Sequence, residues 1–194
     1  MQKGIREYLF CAECEARLNV YESAFAHYWF KRALPHLPAE AAGARINGFD
    51  YTAFKLFHLS ILWRASLSSH NFFRAVSLGR YEQKIRHMIW EGEAGPEEHF
   101  PIIGVLLVDR EDGGAIRKEL ITPFTPAKLY NCHVYCSCYA GCEWLWFVTD
   151  HPNHEVKKLT PFSPRRDGTM LLRGRSWKES LGVREFLDRA RQQL

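Results

Sequence analysis

DYTAFKLFHLSILWRASLSS, residues 50–69, is the stretch on which the fold turns. Phe54, Phe57, His58, Ile61, Leu62 and Ala65 recur at the three-four spacing of one helical face, and Leu56, Leu59 and Trp63 make much of the other face apolar too. A helix with two apolar faces has to be covered on several sides, so this one belongs at a packing centre. Asp50 is placed to cap its first turn by accepting a hydrogen bond from an unpaired backbone N–H, and Ser66, Ser68 and Ser69 mark its end. His58 and Arg64 are the polar exceptions. A satisfied core histidine and an arginine that snorkels or pairs account for them without any chemistry.

Upstream, a first helix is expected over about Glu13 to Ala33, with Leu18, Tyr21, Phe25 and Tyr28 facing inward and Pro35 and Pro38 ending it. His27 and Trp29 read as core or boundary residues rather than ligands. The Ala- and Gly-rich segment 39–49 reads as a connector. Immediately before the first helix stands Cys11-Ala12-Glu13-Cys14. Two thiolates at that spacing can be aimed at one tetrahedral zinc ion, which makes Cys11 and Cys14 the candidate metal ligands, but they are half of a four-ligand site. His27 and His36 do not complete it with zinc-finger spacing. Inert thiols and a redox pair are the other readings; acidic Glu13 and Glu15 oppose a thiolate, against the redox one.

Downstream, a third helix is expected over about Arg80 to Glu91, and the acidic EGEAGPEE (91–98) is the best candidate boundary. The pattern then becomes strand-like. Segments 102–108, 115–122, 129–139 and 143–149 are rich in β-branched and aromatic residues, with Asp112-Gly113-Gly114 and Ala140-Gly141 as turn signals. A last strand at 170–173 and an amphipathic helix at 177–193 follow. The expected fold is α+β: an N-terminal helical bundle of about three helices (1–95), then an antiparallel β-sheet with a C-terminal helix (96–194), packed as one compact unit.

CHVYCSCYAGCEW (132–144) holds four of the six cysteines. Strand parity puts Cys132, Cys136 and Cys138 on one face, and a turn could bring Cys142 near Cys138. Thiolates so placed could complete the Cys11 and Cys14 half-site, but their spacing is not that of a zinc ribbon, and buried free thiols are the plainer reading. Asp150-His151-Pro152-Asn153-His154 superficially resembles a metal-dependent site, yet Pro and Asn after a strand are also ordinary turn chemistry. Phosphate-binding glycine loops, a nucleophile elbow and H-E-x-x-H are absent, so no complete catalytic motif is present.

The longest uncharged apolar run, 100–108, is nine residues, too short to cross a bilayer as a helix. The N-terminal MQKGIREYLFC lacks the features of a signal peptide, so a cytoplasmic location is expected, where cysteines stay reduced. The net charge of +4 is uneven: residues 157–191 carry ten basic and four acidic side chains, a local +6. Within it, Arg165, Arg166, Arg173, Arg175 and Lys178 are the candidate contacts to a nucleic-acid backbone, by counterion release; a solvated basic face is the alternative.

Three blocks, KGIREYLFCAECEARLNVYE (3–22), FKLFHLSILWRAS (54–66) and VSLGRYEQKIRHMI (76–89), resemble an uncharacterised bacterial family whose longer members are similar to HNH-type endonucleases of the treble-clef, zinc-knuckle kind. The resemblance implies that an upstream C-x2-C and a Ser-His-x-x-Pro segment precede these blocks in the longer members, the later C-x2-C completing a zinc site. Only that later knuckle, Cys11 and Cys14, has a counterpart here, and the histidine that would activate water has none. The expectation is a reduced HNH-like protein, nucleic-acid-associated and catalytically silent alone, in a phage-defence or mobile-element setting, either starting late relative to its family or naturally shortened. The competing expectation is a protein-interaction or structural module whose aromatic-rich surface pairs with a protein partner or forms a homo-oligomer.

Overall fold

The computed structural model describes residues 7–34, 37 and 43–191, with the side chains of 189–191 left aside. The elements in chain order are α1 (Ala12–Tyr28), a π turn (Trp29–Ala33), β1 (Gly43–Asn47), α2 (Tyr51–Leu67) and α3 (Glu82–Glu91). Then come β2 (Ile102–Asp109), β3 (Ala115–Ile116), β4 (Thr125–Leu129), β5 (Cys132–Tyr139), β6 (Cys142–Phe147), α4 (His154–Lys157), β7 (Thr169–Ser176) and α5 (Leu181–Arg191).

Helix α2 behaves as its sequence demands. The Asp50 carboxylate accepts from the Ala53 N–H at 2.6 Å, capping the first turn. At the far end Ser68 turns extended and its N–H closes on Arg64 O at 3.1 Å. Phe54, Leu56, Phe57, His58, Leu59, Leu62, Trp63 and Ala65 are all buried, as are Lys55 and Ser60. At roughly 1.5–3 kcal/mol for each large apolar side chain, this burial outweighs any local helical preference. The helix packs against α1 and α3 and lays its third side on the sheet, where Trp146 Nε1 donates to His58 O at 3.1 Å. Arg64 pairs with Glu22 of α1 at 2.6 Å, while His27 is exposed and Trp29 fully buried.

The sheet is mixed rather than antiparallel. Its order is β1-β7-β2-β6-β5-β4, with β3 appended to β2, and β7 runs parallel to β2 while the other pairs are antiparallel. A crossover through α4 carries the chain from β6 past β2, so β7 lands beside β2 in the same direction. The segment expected to be a connector contains β1, an edge strand whose partner lies more than 120 residues away: Ile46 opposes Met170 and Ala44 opposes Leu172. The strand expected over 115–122 is reduced to Ala115–Ile116, after which the chain leaves β2 toward Pro123. The strand expected over 129–139 is two, because Tyr130 and Asn131, with φ of 50° and 60°, form a tight hairpin turn between β4 and β5. Ala140-Gly141 turns β5 into β6 as expected.

One core joins both halves of the chain, from Leu18 and Phe25 of α1 through α2 to Leu106, Trp144, Trp146 and Leu172 of the sheet. Gly104 makes this packing possible: a Cβ there would stand 2.8 Å from both Trp144 and Leu172 side chains. Among the described residues no helix is long and apolar enough to cross a membrane.

Candidate functional site

Strand alternation gives the sheet a second face. Met170 and Leu172 of β7 enter the core, so Leu171, Arg173 and Arg175 are turned to the opposite side. Val105 of β2 opposes Arg173, and Leu107 opposes Arg175. Val105, Val134, Cys136, Leu145 and Phe147 form a smaller apolar cluster on this side, closed by Val156 of α4 and flanked by Leu159 and Leu181. Between the turn after α4, the β4–β5 hairpin and the start of α5 lies a groove of about 630 Å³, in the range of small-ligand sites. Its floor is Ile103, Val105, Leu145 and Phe147, and its walls are Leu129, Tyr130, Leu159, Phe162 and Leu181.

Among the described residues no carboxylate lines this groove; Lys158, Arg173 and Arg175 stand on its rim and Lys128 borders it from the end of β4. Arg173 has no carboxylate within 4 Å among the described residues, and its guanidinium carbon lies 4.6 Å from the centre of the Phe162 ring, a cation–π contact that positions the charge without cancelling it. Lys158 is paired with Glu155 at 2.9 Å, but both side chains are more than half exposed, and such a pair is readily exchanged for another anion. Arg175 reaches the fully buried Glu143 at 3.4 Å. The second oxygen of Glu143 accepts from Ser180 Oγ and from the Gly182 N–H, both at 2.9 Å, so this carboxylate caps α5 from beneath.

The five basic residues expected from sequence do not form one stripe. Arg173 and Arg175 share the groove rim. Arg165 and Arg166 lie on the turn before β7: Arg165 is 3.9 Å from both Glu97 and Asp167, and Arg166 donates from its backbone to Glu97 and from its side chain to Gly95 O. Lys178 is held by both oxygens of Glu111 at 2.7 Å. Phe162, Lys158 and Glu143 had no place in the sequence-derived site. The local excess of basic residues over 157–191, which contains Arg173 and Arg175, was its one legible signal.

Cys11 is exposed at the N-cap of α1 and Cys14 is half-buried in its first turn. The Cys14 N–H and thiol lower the Cys11 pKa, and the Cys14 thiol is raised in turn. Among the described residues no three His, Cys, Asp or Glu side chains are placed to share a metal ion. Cys136 and Cys138 are buried on the groove side of the sheet, with Cys132 beside them, as parity requires. Cys142 packs instead into the main core, because the Cys138–Glu143 pairing turns it to the other face.

At the other clusters the structure supplies ordinary partners. Lys84 binds Asp150 at 2.6 Å and holds its carboxyl down at about 2, while His151 is 3.0 Å from the same carboxylate. Asn153 caps α4 through the Val156 N–H, and His154 opens that helix. His58 Nδ1 lies 2.5 Å from Tyr139 Oη; its Nε2 has no partner among the described residues, and burial keeps its pKa well below the usual histidine value.

No protein-family model, curated protein or solved structure matches this chain.

Proposed function

We propose that this chain is a nucleic-acid-associated binding module, catalytically silent by itself, that holds a phosphate-bearing strand along the rim of the sheet groove. The observation that carries this reading is the groove's charge: Lys158, Arg173 and Arg175 stand over an apolar floor with no carboxylate among the lining residues. Phosphates would replace solvent around Arg173 and take the place of Glu155 at Lys158, releasing counterions, so binding should weaken with salt. The resemblance to HNH-like proteins supports the same class of partner. Its three blocks fall around α1, α2 and α3, elements that pack against the other face of the sheet and serve as scaffold to the groove. Fluorescence anisotropy with a labelled single-stranded oligonucleotide tests the proposal. Binding at about 50 mM salt that fades by about 200 mM supports it, and no binding at the lower salt overturns it.

A second reading is a protein-interaction module. Phe186 and Leu187 stand side by side on α5, 45% and 40% exposed, where a homo-oligomer or a protein partner would cover them. A strictly monomeric chain whose Phe186→Ser form behaves identically in every binding assay would remove this reading.

A further inference from the structure

The rim accounts for phosphate, but a phosphate-binding strip has no need of an apolar floor. Val105 and Leu145 retain 8% exposure each at the bottom of the groove, and the half-exposed Tyr130 lines the same groove as Arg173. A duplex gains nothing from such a floor, since its bases are stacked and paired away from the protein, whereas an unpaired base carries both an apolar ring face and a phosphate on one flexible unit. The dimensions agree: about 630 Å³ suits one nucleotide and its immediate neighbours, not a helix.

We infer that the groove takes one unpaired nucleotide, its base over the Val105 and Leu145 floor beside Tyr130 and its phosphate against Arg173 and Lys158. This rests on the nucleic-acid reading above and adds two properties to it: single strands are preferred to duplexes, and the base itself contributes. No bond is made or broken. Arg173 serves because it stands over the Phe162 ring and has no carboxylate partner among the described residues.

The test compares four probes on the whole chain: a single-stranded oligonucleotide, the same sequence as a duplex, a single strand of equal length with every base removed, and a free nucleoside monophosphate. The expected result is binding of the intact single strand about tenfold or more tighter than both the duplex and the base-free strand. Tyr130→Ala, on an exposed turn, should remove most of that advantage while leaving the base-free strand unchanged. Saturable binding of the free monophosphate would identify a nucleotide as sufficient by itself, and its absence would assign the site to nucleotides within a strand. Equal affinity for the intact and base-free strands would overturn the base pocket while leaving the phosphate rim standing. Failure of every probe to bind would overturn the nucleic-acid reading itself.

Discussion

Lys55 Nζ donates a 2.6 Å hydrogen bond to Pro96 O from a position 1% exposed in the second turn of α2. Its other partner is Tyr51 Oη at 3.0 Å, which donates onward to Gly95 O, so one buried amine ties the central helix to the turn leading into the sheet. Burial is the main cause that pushes its pKa down to about 7, with Arg166 adding to the effect and Glu98 opposing it.

This shift has a definite sign. In the unfolded chain the amine titrates near 10.4, so between about pH 7 and 10 the unfolded state holds a proton that the folded state has lost, and stability gained from this group rises with pH. Below pH 7 both states are charged and the folded one carries the full cost of a buried ammonium, a few kcal/mol. Lys55→Met should therefore stabilise the protein at pH 6 by about 2 kcal/mol or more, with the advantage vanishing toward pH 10. Urea unfolding of both proteins across that range measures the gap. A gap that does not change with pH would contradict the account.

Glu143 should matter as a cap more than as a surface ion pair. Glu143→Gln keeps the size and one acceptor but removes the charge that meets Ser180 Oγ, the Gly182 N–H and Arg175. The expected loss is about 2 kcal/mol in urea unfolding, with early fraying of α5 visible in amide exchange. A change below about 0.5 kcal/mol would show that the carboxylate does not anchor the helix.

Five of the six thiols should divide by burial. Burial raises Cys136 and Cys142 far out of the titrating range and Cys138 to about 11, so these three should resist a thiol reagent until the chain unfolds. Cys11 and Cys14 should react in the native protein, Cys11 first. Protection of Cys11 and Cys14, together with one zinc equivalent lost in Cys11→Ala, would show instead that further ligands reach the pair.

What the sequence revealed follows from how local each cause is. Asp50, the two apolar faces of α2 and the Ala140-Gly141 turn act within a few residues, and each was legible. The Tyr130-Asn131 turn was not, because neither residue is glycine although both take positive φ. Strand β1 was hidden for a different reason: Gly43-Ala44-Arg45 has no strand signature of its own and is held by pairing with β7. The parallel β2–β7 register depends on a crossover and could not be read from alternation. The site divides in the same way. Arg173 and Arg175 were visible within the basic stretch 157–191, whereas Phe162 and Glu143 join them only through tertiary structure, and Arg165, Arg166 and Lys178 turn out to have partners of their own elsewhere.

The most direct test of the central claim is the salt dependence of oligonucleotide binding in charge-reversed variants. Arg173→Glu and Lys158→Glu should each weaken single-strand binding about tenfold or more and make the salt slope shallower by about one ion, while Lys178→Glu, whose lysine is not among the residues lining the groove, should leave both nearly unchanged. Equal losses in all three variants, or none in Arg173→Glu, would contradict a groove-centred site.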